Sequence, residues 1–266
     1  MTIGIGLPIG DIPGLLTWAR RADAGPFRTL GLLDRLVYGN PEPLVALAAV
    51  AGATSRIRVQ TEVLLAPLRQ TSLLAKQAAT LDVVSGGRFT LGLGVGARED
   101  DFHVAGQEFR RRGRRLDEQM AELARLWSQG PVGPPARPEI LFGAFRRPAL
   151  DRVARFGDGF LGAAPPRYLG TLFRTVETLW TEAGRPGRPR LVAQGNVALG
   201  PDRLVAQARS ALAGYYGGGY DPGLLDTPAR IRDFIRTCEG LGADEVMLYC
   251  WASDPDQVDR LADLVG

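Results

Sequence analysis

The chain has 266 residues, 45% hydrophobic and 23% charged, with 32 basic against 29 acidic side chains. These proportions exclude disorder and collagen-like repeats, and the length suits a single α/β barrel, typically about 250 residues. A single His (His103) and two Cys (Cys238, Cys250) exclude a three-His or Cys-rich zinc site, and no G-x-S-x-G stands in the sequence.

In chain order, strand-like and helix-like runs alternate. Ile3–Ile9 reads as a strand and Pro13–Ala24 as a helix closed by Gly25. Thr29–Leu33 is short and apolar, and Pro41–Ala53 is a helix with prolines at its start. Ile57–Leu65 is the third strand. Thr71 or Ser72 caps the next helix, whose Leu74, Ala78, Leu81 and Val84 form an inward stripe before Gly86-Gly87 stops it. Phe89–Val95 is the fourth strand; a loop, an Arg-led helix and a Pro/Gly-rich linker over 130–138 follow. The second half repeats the rhythm: Ile140–Gly143 strand, Pro148–Phe156 helix, Gly159–Ala163 strand, Tyr168–Ala183 helix, Leu191–Leu199 strand. Two helical runs, Arg203–Tyr216 and Thr227–Leu241, precede the strand Glu245–Trp251 and the helix Pro255–Val265. Eight strands separated by helices predict a closed parallel (β/α)8 TIM barrel, one domain over 1–266.

Thirty-one of the basic residues are Arg and one is Lys (Lys76). The densest basic run, Arg110, Arg111, Arg112, Arg114 and Arg115, leads into Leu116, Met120, Leu123 and Trp127 on one helix face. Arg114 and Glu118 are spaced for an i,i+4 pair, which predicts a solvated helix face and no nucleic-acid partner. No signal peptide and no apolar run of eighteen residues are visible, so a reduced, cytoplasmic protein without a membrane span is expected.

In a barrel of this kind chemistry sits at the C-terminal strand ends. Gly4 and Gly6 in the first strand, and Gly92, Gly94 and Gly96 in the fourth, leave one face of each strand as bare backbone. Such a face admits either a flat ring or the close packing of a neighbour. Gly143-Ala144-Phe145-Arg146-Arg147 runs from a strand end into a helix start, where free N–H groups, the helix dipole and two Arg suit a phosphate. His103 follows the fourth strand. Cys250 and Trp251 end the last strand and line either a substrate pocket or the barrel core. Tyr215, Tyr216 and Tyr220 flank Gly217-Gly218-Gly219 as an aromatic lid or an ordinary surface loop.

Thr54 to Arg58, the run from Leu74 to Gly96, Arg112 to Glu118, Val153 to Phe160 and Asp254 to Val258 together resemble the bacterial luciferase-like monooxygenase family. The resemblance covers essentially the whole chain and implies a (β/α)8 barrel, commonly a homodimer, that binds reduced FMN or the deazaflavin coenzyme F420. It puts the ring site on Asp34, Thr61, Glu62, Val63, Gly94 and Gly96, with the Glu62–Val63 step at the family's bulge, often a cis peptide. The phosphate pocket falls on Gly143, Ala144, Leu161, Gly162 and Ala163. This chain has Gly-Ala-Phe where relatives usually carry Gly-Gly-Ser, so Arg146 or Arg147 would replace a hydroxyl donor. Deazaflavin-dependent members often place a proton-donating His after the Asp at the second strand end. Here that position is Arg35, a poor general acid, free to pair with Asp34 or Glu62. The catalytic candidates are Asp34 and Arg35, and Tyr216, Cys250 and Trp251 are the substrate candidates. The expected activity is hydride transfer from F420 to a C=C or C=N bond of a small molecule or modified peptide. FMN- and O2-dependent monooxygenation and non-catalytic flavin binding are the alternatives.

Overall fold

A computed structural model describes residues 1–7, 10–130, 132–134, 137–217 and 223–266. Ile9, Gly218, Gly219 and Tyr220, together with part of the 130–138 linker, lie outside them.

The strands are β1 (Thr2–Gly6), β2 (Thr29–Leu32), β3 (Arg58–Thr61), β4 (Leu64–Leu65), β5 (Phe89–Gly94), β6 (Glu139–Gly143), β7 (Gly159–Gly162), β8 (Arg190–Val197) and β9 (Glu245–Cys250). All pairings are parallel, in the order β3-β2-β1-β9-β8-β7-β6-β5-β4, and β3 also pairs with β5. That last pairing closes the sheet, with β3 and β4 forming one interrupted stave, so the expected eight-stave barrel is present. The expected continuous third strand is corrected: it breaks at Glu62–Val63, a cis peptide as the resemblance implied.

The strand ends mostly fall within a few residues of expectation. The helices are α1 (Leu15–Ala24), α2 (Pro43–Ala53), α3 (Thr71–Val84), α4 (Glu99–Val104), α5 (Arg112–Gln129), α6 (Arg147–Phe156), α7 (Pro166–Glu182), α8 (Asp202–Tyr216), α9 (Pro228–Gly240) and α10 (Gln257–Val265). Short α4 was not anticipated. The cap of α3 is Gln70, whose side chain accepts from the Leu73 N–H, in place of Thr71 or Ser72. Val84 is exposed, and Leu74, Ala75, Ala78, Ala79 and Leu81 form the inward face instead. Among the described residues no helix is long and apolar enough to cross a membrane.

Alternation sorts each stave into two faces. Phe89, Leu91 and Leu93 of β5, and Val246, Leu248 and Cys250 of β9, join the core between strands and helices. Leu141, Leu161, Val192 and Met247 form a separate cluster inside the barrel. Glycine makes this narrow interior possible. A Cβ on Gly4 would lie 2.1 Å from Met247 Sδ, on Gly6 2.0 Å from the Tyr249 ring, and on Gly31 2.4 Å from the Glu62 carboxyl carbon. For β1, packing by a neighbouring stave is therefore what its bare face serves.

The barrel floor is charged. Arg190 donates to Glu139 (2.5 Å) and pairs with Glu245, while Arg58 donates to Glu139 (3.2 Å) and to Thr90 (2.8 Å). Much of the arginine excess is structural. Arg114–Glu118 (2.8 Å) and Arg125–Glu122 (2.6 Å) are exposed helix pairs. Others satisfy backbone carbonyls that helix ends leave open. Arg56 donates to the carbonyls of Ala22, Asp23, Gly25 and Phe27, and Arg88 to those of Ala51, Thr54, Ile57 and Ser85.

Candidate active site

The mouth of the barrel is built by the C-terminal strand ends and the segments that follow them. On the β2 side Asp34, Arg35, Asp100 and Asp101 all have internal partners. Asp34 accepts from the Leu65 N–H (2.8 Å) and from Arg69 Nη1 (2.6 Å). Arg35, 7% exposed, donates through Nε to Asp101 (2.5 Å), through Nη2 to Asp100 (3.2 Å) and through Nη1 to the Tyr215 carbonyl (3.3 Å). Asp101 is fully buried and also accepts from the Leu36 and Val37 N–H groups (2.9 and 2.8 Å). The expected pairing of Arg35 with Asp34 or Glu62 is thus corrected. Helix α4, which sequence reasoning missed, delivers both acids to it. This network ties β2 to α4 and to the end of α8.

Aromatic rings continue that wall. Tyr215 meets Tyr38 (5.6 Å between ring centres), Tyr216 (5.0 Å) and Trp251 (5.4 Å), and Trp251 meets Tyr249 (5.8 Å). The Arg35 guanidinium stands 5.7 Å from the Tyr215 ring. Tyr215 and Tyr216 are therefore packed onto the last strand end. Trp251 Nε1 donates to Asn196 Oδ1 (2.8 Å), which anchors β9 to β8. Cys250 points the other way, into the helix-facing core, where burial pushes its thiol up; barrel packing, not a substrate pocket, is its setting. His103 is exposed on α4.

Thr61 donates to the Gly92 carbonyl (2.7 Å). Glu62, 3% exposed, lies against Gly31 with Oε1 accepting from Gln60 Nε2 (2.7 Å) and Oε2 without a partner. Burial pushes its carboxyl up to about 8, against the opposing Gln60 hydrogen bond, so it holds its proton at neutral pH. Val63 turns inward. A Cβ on Gly94 would sit 2.4 Å from its Cγ2 and one on Gly143 3.1 Å from its Cγ1. The bare face of β5 thus carries Val63, and the surface left to the mouth is Val63 itself.

Val63, Gly96, Gly143 and Ala163, at four successive stave ends, are all half-buried, while Ala144 is buried. Leu161 belongs to the deep interior cluster, and a Cβ on Gly162 would meet Leu169 Cδ1 at 2.4 Å. Of the five residues expected around a phosphate, Gly143 and Ala163 therefore reach the mouth. Arg147 is engaged by Asp151 (3.0 Å) and Glu182 (3.7 Å). Arg146 and Arg167, at the starts of α6 and α7, are exposed and make no ion pair among the described residues. A floor of small residues without acids, bordered by two unpaired guanidiniums, fits a flat ring with an anionic tail.

Comparison with known proteins agrees with this architecture. Residues 4–223 match the luciferase-like monooxygenase family. An uncharacterized protein of Mycobacterium tuberculosis is 32% identical over 185 residues, 63% of this chain and 65% of that protein, so the match spans just under two thirds of that relative's length. An F420-dependent glucose-6-phosphate dehydrogenase of Amycolatopsis mediterranei is 30% identical over 141 residues, 46% of this chain and 42% of its own. The crystal structure of monooxygenase RslO1 from Streptomyces bottropensis superposes with a TM-score of 0.84 at 22% identity, covering 99% of this chain and 97% of that one, and shares the fold. On the strength of the match over 4–223 and of its closed eight-stave barrel, this chain is a member of the luciferase-like monooxygenase family.

Proposed function

We propose that the protein is an oxidoreductase that holds reduced coenzyme F420 over Val63 and passes hydride to a C=C or C=N bond of a small molecule or modified peptide. The observation that carries this reading is the mouth floor of Val63, Gly96, Gly143 and Ala163, beside unpaired Arg146 and Arg167. When bound, the coenzyme supplies the hydride; the protein supplies placement and electrostatics. Gly94 and Gly143 let Val63 lie flat enough to support a ring. Arg146 and Arg167 offer permanent positive charge to a phosphate and an acidic tail. Arg35, held by two acids, keeps the β2 wall in place and has no proton to give. Glu62 carries a proton directly beneath the Val63 step and is the acid nearest this floor in sequence.

A second reading, monooxygenation with reduced FMN and O2 on the same floor, is favoured by the clamped Arg35 standing where a proton-donating His would serve the deazaflavin reaction. Titrating the purified protein with F420 and with FMN separates the two. Saturable F420 binding supports the first, and tight FMN binding without F420 binding overturns it.

The homodimer belongs to the same proposal. Helix α2 has no charged residue among its eleven, and Val45, Ala48, Ala49 and Gly52 face outward on it, beside exposed Leu73 and Val84 of α3. Light scattering after gel filtration is expected to give twice the chain mass, and Val45→Glu to give the monomer.

A further inference from the structure

A cavity of about 240 Å³ opens at the ends of β7 and β8, adjoining the ring floor and sharing Ala163 with it. Its walls include Ala163, Ala164, Arg167, Gln194, Asn196 and Phe234, and no acidic side chain lines it. Gln194 points inward from β8 and is 6% exposed, and its side-chain amide has no hydrogen-bond partner among the described residues. A buried amide is expected to be satisfied, so an unpaired one on a cavity wall marks a place where a ligand's oxygens belong. Asn196 beside it is already spent: Oδ1 accepts from Trp251 and Nδ2 donates to the Gly223 carbonyl (3.3 Å).

The opposite wall is the start of α7, a helix of 17 residues with no side-chain cap. Pro165 and Pro166 have no N–H, so the first donor its N-terminus presents is the Arg167 N–H, which has no intrahelical acceptor. The Arg167 side chain stacks 4.7 Å from the Tyr168 ring and has no acidic partner among the described residues. A cation in the first turn of a helix opposes the macrodipole, and its position is rational when an anion stands between them.

We infer that this cavity is an oxyanion subsite, holding a phosphate-sized anionic group between the Gln194 amide and the N-terminus of α7 with Arg167. The anion is a phosphate or carboxylate carried by the substrate.

The probe is inorganic phosphate, titrated calorimetrically into the full chain at constant ionic strength with chloride as control. Saturable binding is expected, weakened at least tenfold in Arg167→Glu, which alters an exposed side chain, and in Gln194→Leu. Absence of saturable binding, or wild-type affinity in both variants, would overturn the assignment. Repeating the titration with saturating F420 or FMN names the source. Undiminished phosphate binding supports an anionic substrate group, and competition, which would give the cavity to the cofactor, overturns it. Because phosphate alone is the probe, failure here leaves the F420 titration to stand or fall separately.

Discussion

The two sides of the barrel mouth are built on opposite electrostatic plans. On the β2 side Asp34, Arg35, Asp100, Asp101 and Arg69 pair with one another and with Glu42 and Arg98, and they also bond to nearby backbone. On the β6–β8 side, among the described residues, the Gln194 amide has no hydrogen-bond partner and Arg146 and Arg167 make no ion pair. Saturated polar groups hold a wall in shape, whereas unsatisfied ones retain binding capacity. The residues that look most catalytic in sequence, Asp34 and Arg35, thus belong to the paired wall, and the groups without ion-pair or hydrogen-bond partners lie across the mouth.

The largest way to break this comparison is Arg35→Ala, which strands the buried Asp101 carboxylate. A loss of about 3–5 kcal/mol is expected, read as a lower urea midpoint. An unchanged midpoint would mean the wall does not depend on that pair. Next comes Glu62, which in the folded chain keeps its proton up to about pH 8 but ionises near pH 4.3 when unfolded. The folded state then binds the extra proton between these values, so stability is fully present below about pH 4 and declines as pH rises to 8. The expected loss is on the order of a few kcal/mol. Glu62→Gln should flatten that slope, and a variant with the wild-type pH profile would show Glu62 ionised in the fold. The smallest effect on stability sharpens the other side: Arg146→Ala should change it by less than about 0.5 kcal/mol. Its signature is a several-fold weaker hold on F420 in a binding titration, and equal affinity would remove Arg146 from the tail path.

Much of the fold was legible because it rests on local patterning. The period of two in Phe89 to Gly94 and the turn glycines Gly86 and Gly87 mark β5 and the end of α3 without any knowledge of partners. The luciferase-like resemblance likewise placed the step at Glu62–Val63. Long-range pairing was not legible. Arg35 and Asp101 are 66 residues apart, and α4, six residues with three acids in its first turn, has too little apolar periodicity to be read as a helix. The roles of Arg56 and Arg88 were not legible either, because the backbone carbonyls they bind leave no mark in sequence. Gln194 did leave a signal that went unused: with Asn196 it places two amides at alternate, inward positions of an otherwise apolar buried strand.

In the proposed complex the cofactor ring rests on Val63, which itself packs onto Gly94. A Cβ at Gly94 would stand 2.4 Å from Val63 Cγ2, so Gly94→Val must drive Val63 up into the ring's place. The direct test is a spectroscopic titration of the wild type and of a Gly94→Val variant with wild-type circular dichroism, using F420 and FMN. Saturable binding by the wild type and at least a tenfold loss in the variant are expected. Undiminished affinity in the folded variant would contradict this placement of the ring.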